Sequence, residues 1–127
     1  VLGLLYESEQ KHLPLDDVVA GLPSPPEAYA VRLASGVASR LAEIDELVER
    51  YANDWALDRM PAVDRQLLRI AVYELIAEPT VPVAVIIDEA VDLAKIFSTD
   101  ESGKFVNGVL AAVAARTRPG EVVTDER

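Results

Sequence analysis

The sequence predicts an all-α fold, a compact bundle of six to seven helices in two small helical subdomains. Three observations carry this expectation. Apolar residues recur three or four apart over most of the chain, the spacing that gathers them on one side of a helix. Prolines fall between these stretches, where a missing N–H costs least. No strand-like alternation or internal repeat stands out, and only Val81 to Ile87 taken alone passes for a strand.

The elements follow in order. Val1 to Lys11 reads as a helix without a visible N-cap, with Leu2, Leu5, Tyr6 and Glu9 at helical spacing. Leu13 to Gly21 is a short helix with Pro14 near its start and Gly21 at its end. Leu22 to Pro26 is a stiff connector, because Pro25-Pro26 forbids helix before it. From Glu27, Ala30, Leu33, Val37, Leu41, Ile44, Val48 and Tyr51 form one stripe, with a break between two helices expected near Ser39 to Ala42. Glu46 and Arg50 stand four apart with the acid first, the favoured order for a surface pair. Asn53 to Met60 is a linker anchored by Trp55 and Leu57.

Pro61 opens a helix whose first turn carries Asp64 at the positive end of the dipole, and Leu67, Leu68, Ala71 and Leu75 supply its buried face. Arg69 interrupts that apolar run, and burial demands a carboxylate for it, with Glu74 or Glu89 the expected partner. Pro82 opens the next helix, with Ile86, Ala90, Leu93 and Phe97 in a stripe. Ser98 to Glu101 has the spacing of a capping box, and the last helix runs to about Ala115. Residues 1–118 form the single expected domain, and residues 119–127, which include Pro119-Gly120, a polar tail.

Composition narrows the function. The chain of 127 residues fits one domain, and half of it is hydrophobic, which argues against disorder. Without cysteine there is no disulfide, no thiolate zinc site and no thiol nucleophile, as suits a reducing cytoplasm. No apolar run approaches the roughly 20 residues of a membrane span. The chain begins at Val1 without Met, so a segment removed upstream is expected. With 22 acidic against 12 basic residues, the formal net charge is -10, which by itself opposes contact with phosphate.

Enzyme chemistry finds little support. His12, the one histidine, reads as a solvated helix end. No G-x-S-x-G elbow and no glycine-rich phosphate loop is present. Asp88, Glu89 and Asp92 cluster without convergent ligands, and Asp88 and Glu89 read as the acidic first turn of a helix rather than a metal or acid/base site. Lys104-Phe105 is the best candidate for function. A base can stack on an aromatic face while an ammonium meets phosphate, although helical spacing alone favours a core role for Phe105. Tyr6 is ambiguous in the same way: its phenol either caps a core edge or stacks on a base.

Leu4-Leu5-Tyr6-Glu7, the run Leu57 to Leu75 and especially Phe105-Val106-Asn107-Gly108-Val109-Leu110 resemble the NusB family, small all-helical RNA-binding factors of bacterial transcription antitermination. The wording of residues 57–65 is similar to the actinobacterial branch. The resemblance implies a non-catalytic cytoplasmic protein without cofactor or metal. It implies partnership with NusE, a small-subunit ribosomal protein, in binding boxA RNA and loading an antitermination complex on RNA polymerase, notably at ribosomal RNA operons. By position it implies Tyr6, Glu101, Lys104 and Phe105 near RNA, with loss of charge at Glu101 favouring RNA, and Tyr51, Asp64 and Glu74 facing NusE. Family members carry an Arg-rich stretch before the first helix. Without it, weak boxA binding is expected unless NusE is present. A homodimer that masks the RNA face is a further expectation.

Two other readings share these residues. One is an RNA-binding domain similar to that of some ribosomal RNA cytosine methyltransferases; the chain ending at Arg127 speaks for a stand-alone factor instead. The other is a protein-only helical scaffold, which the acidic balance supports.

Overall fold

The computed structural model describes residues 2–22, 28–52 and 55–121. Among these the chain forms α1 (Leu2–Lys11), α2 (Leu15–Ala20), α3 (Ala28–Ser39), α4 (Leu41–Tyr51), a 3-10 turn (Leu57–Arg59), α5 (Ala62–Ala77), α6 (Val83–Phe97) and α7 (Asp100–Thr117). The all-α expectation holds, and the stretch that could pass for a strand is the start of α6. Most of the connector Leu22 to Pro26, residues 53 and 54 of the linker and the tail beyond Glu121 lie outside the described residues.

Prolines set three of the starts. Pro14, Pro61 and Pro82 stand at the N-cap positions of α2, α5 and α6, with no side-chain cap on any of them. Between α1 and α2 the chain reverses at His12, which takes a left-handed φ of 55°. Ser8 closes this corner by donating from its hydroxyl to the Leu13 carbonyl at 2.7 Å. The break between α3 and α4 falls at Arg40, inside the expected interval.

α5 is the central helix and packs against α1, α3, α4, α6 and α7. Its apolar face meets Ile44 and Val48 of α4 and Val106, Leu110 and Val113 of α7 in one continuous core. Each of these fully buried side chains contributes roughly 1.5–3 kcal/mol through removal from water. Where α3 crosses α5, Gly36 lies directly on the Tyr73 ring. A Cβ at Gly36 would come within 2.3 Å of the ring, so only glycine permits this approach.

Polar pairs tie the outer helices to α5. Glu9 of α1 accepts from Arg65 twice, at 2.7 Å each, and from Arg69 at 3.3 Å. Arg69 also forks onto Asp45 of α4 at 2.8 and 3.0 Å. The expected partners Glu74 and Glu89 are therefore wrong. Glu9 and Asp45 come from two other helices and lie 60 and 24 residues away, too far for local spacing to reveal. Burial works against the charge on Glu9, but the hydrogen bonds from Arg65 and Gln66 and both guanidinium charges outweigh it and hold its carboxyl below the ordinary range.

Two further expectations need correction. α7 is capped by Thr99, whose hydroxyl accepts from the Ser102 N–H at 3.0 Å, and not by a Ser98–Glu101 box. Ser98 is already used to close α6, donating its N–H to the Ala94 carbonyl at 2.8 Å, so α7 begins one residue later. Asp88 and Glu89 lie beyond the first turn of α6, which contains no acid, so the dipole does not account for them.

At its far end α7 runs to Thr117, and Arg118 folds back over the end of α5. The guanidinium donates to the carbonyls of Glu74, Leu75, Glu78 and Val81 at 2.6–3.0 Å, satisfying acceptors that a helix C-terminus leaves open. Glu121 pairs with Arg118 at 3.2 Å and accepts from the Val83 N–H at 2.8 Å, which caps α6. That N–H, more than the Arg118 charge, keeps the Glu121 carboxyl below its usual value.

Candidate nucleic-acid interface

The helical period places Phe105, Gly108 and Ala112 on one side of α7, facing the end of α4. Together with Arg50, Tyr51 and Lys104 they line a groove of about 420 Å³. Phe105 is half-buried, and the edge of its ring packs on Trp55 with centroids 4.7 Å apart and planes at 71°. Its exposed face and the Tyr51 ring supply two aromatic surfaces, and Gly108 leaves open space beside them. Lys104 is exposed, and among the described residues its one ion pair is with Glu101, at 3.5 Å. Arg50 is held loosely by Glu46 at 3.8 Å. Two cations beside two aromatic rings on an otherwise acidic chain form a place where a base can stack and a phosphate can be neutralised.

The other candidates are distributed differently. Tyr6 and Glu74 line a separate and larger groove between α1, α3, α5 and α6. The structure therefore joins Tyr51, expected to face a protein, to Lys104 and Phe105, expected to face RNA. It separates Tyr6 from both. Asp64 is only 1% exposed, and neither carboxylate oxygen has a hydrogen-bond partner among the described residues. Glu101 stands at the start of α7, exposed, where its charge offsets that of Lys104. Burial first, and then the charges of Glu89 and Glu78, push the Glu74 carboxyl up to about 7. The sequence presents Arg50 only as the surface partner of Glu46 and Gly108 only as part of the Phe105–Leu110 motif, not as lining of a groove. Adjacency to Tyr51 and a three-residue step from Phe105 were the signals available.

Among the described residues no group of three or more His, Asp or Glu side chains is placed to hold a metal ion. No helix among them is long and apolar enough to cross a membrane.

The NusB family model matches residues 2–115. The transcription antitermination protein NusB of Acidothermus cellulolyticus is 50% identical over 118 residues, covering 90% of this chain and 81% of that protein. The protein of the same name from Salinispora tropica is 48% identical over 120 residues, covering 89% and 88%. Among solved structures, T. maritima NusB superposes with a TM-score of 0.84 at 36% identity, covering 97% of this chain and 91% of that one. The antitermination factors NusB and NusE in complex with dsRNA give a TM-score of 0.77 at 28% identity, covering 91% and 90%.

Proposed function

The chain belongs to the NusB family, and from that premise we propose that it acts as a transcription antitermination factor which, with NusE, holds boxA RNA and helps load an antitermination complex on RNA polymerase in the cytoplasm. It does so without catalysis, as a binding platform within one domain that extends at least to Glu121. The observation that carries this reading is the Arg50, Tyr51, Lys104 and Phe105 groove, the place where cations and exposed aromatic faces coincide. RNA lies there with a base on Phe105 and its phosphates toward Lys104 and Arg50. Glu101 tempers the contact by competing for Lys104. NusE approaches from the Tyr51 side, and its basic character complements the acidic body. Asp64 supports that side from within rather than by direct contact.

The test is a mobility-shift titration of boxA RNA with the protein, with NusE, and with both. The reading expects tight binding only by the pair, and loss of that binding when Lys104 and Phe105 are replaced together by alanine. Undiminished binding by the double variant would overturn the assignment of the groove.

A further inference from the structure

The larger groove is not explained by RNA. It holds about 750 Å³ between α1, α3, α5 and α6. Four of the exposed large apolar side chains of the molecule stand around it: Tyr6 (41% exposed), Tyr29 (47%), Val85 (53%) and Phe97 (59%). Exposed apolar groups gathered around one concavity mark a surface that a partner covers. The same groove carries two glutamates, Glu74 and Glu89, and neither has a cation within 4 Å among the described residues. The nearby cations are committed elsewhere. Arg32 is bound to Glu78 at 2.9 Å and lies 5.0 Å over the Tyr29 ring. Arg118 is spread over backbone carbonyls and Glu121. An acid pair in an apolar hollow is electrostatically unsatisfied, and a single inserted cation would satisfy it.

We propose that this groove is a docking site for a basic amphipathic helix of another protein, which lays apolar side chains on Tyr6, Tyr29, Val85 and Phe97 and inserts one Lys or Arg between Glu74 and Glu89. Charge selects among the possible occupants. Nucleic acid would bring phosphate toward two carboxylates. A second copy would bring a body that also carries a net charge of -10. A basic segment gains on both counts, and its apolar face covers what water now touches. This site is independent of the Lys104–Phe105 groove and does not rest on the RNA reading.

The groups that face Glu74 are Glu78 at the C-cap of its own helix, Glu89 on α6, Tyr29 and Arg32 on α3, Tyr6 on α1, and Arg118 after α7. With the Glu74 carboxyl near 7 in the open groove and ionised beside a bound cation, docking releases a proton. Affinity at pH 6 is then about tenfold weaker than at pH 8 by proton linkage.

The probe is a synthetic 14-residue helical peptide with a leucine stripe and one central arginine, titrated into the isotope-labelled whole protein by NMR. The expected result is saturable shifts at Tyr6, Glu74, Glu89 and Phe97. The same peptide with glutamine in place of arginine should bind at least tenfold more weakly. Phe97→Ser, an exposed position that should fold normally, should weaken the arginine peptide to a similar extent, while Lys104→Ala should leave it unchanged. Equal binding of the two peptides, shifts confined to other surfaces, the absence of any pH dependence, or displacement of the peptide by self-association or by boxA RNA at these residues would each overturn the proposal.

Discussion

Phe105 has two roles that a single substitution can separate. Its edge packs on Trp55, and its face lies open toward Tyr51 and Lys104. Phe105→Leu keeps most of the packing and loses the stacking surface. We expect thermal stability close to the parent and boxA affinity in the NusE complex reduced by roughly 1–3 kcal/mol, about 5- to 150-fold. Fluorescence anisotropy beside a melting curve checks both. Glu74 makes a different prediction. Its folded-state carboxyl sits near 7 against an unfolded value of 4.5, so the folded protein holds the proton more tightly. Stability should be unaffected below about pH 4.5, fall as pH rises toward 7, and level off above. Glu74→Gln should remove that decline, as read by urea unfolding at pH 5, 6, 7 and 8. A parent whose stability rises across this range would refute the assignment.

Helices are the scale at which the sequence was most readable. α3 to α7 announced themselves through apolar stripes and through Pro61 and Pro82, because burial on one face forces a period that a local window can detect. Contacts between helices carry no such period. The apolar setting of Arg69 shows that it needs carboxylate partners, but spacing points to the wrong acids, since Glu9 and Asp45 arrive from separate elements. The site shows the same division. Lys104 and Phe105 are adjacent and were legible, while their juxtaposition with Arg50 and Tyr51 depends on how α4 meets α7. The crossing of α3 on α5 offers a direct test at this scale. Gly36→Ala drives a methyl group into the Tyr73 ring and should cost about 1–3 kcal/mol. Combining it with Tyr73→Ala should cost less than the sum of the two, because the collision disappears. Denaturant melts of the four proteins measure that coupling.

For the whole molecule, the net charge of -10 sets the terms of RNA binding. Among the described residues, Arg50 and Lys104 are the cations that line the proposed RNA groove. With two phosphates neutralised at about 0.7 each, log affinity for single-stranded boxA should fall with log salt at a slope of about -1.4 for the protein alone. The NusE complex should be distinctly steeper, because the partner brings its own cations. Titrations between low and moderate salt distinguish these slopes, and a steep slope for the protein by itself would place phosphate contacts outside this groove. Arg118 and Glu121 matter for a related reason. Arg118 and Glu121 bridge the exit of one long rod and the entry of the next, some 40 positions earlier in the sequence. A protease that nicks the polypeptide just after Arg116 would leave every hydrophobic layer intact and still unfasten the hairpin around Pro79. Loss of amide protection there, remote from the cut, would be the first sign of damage.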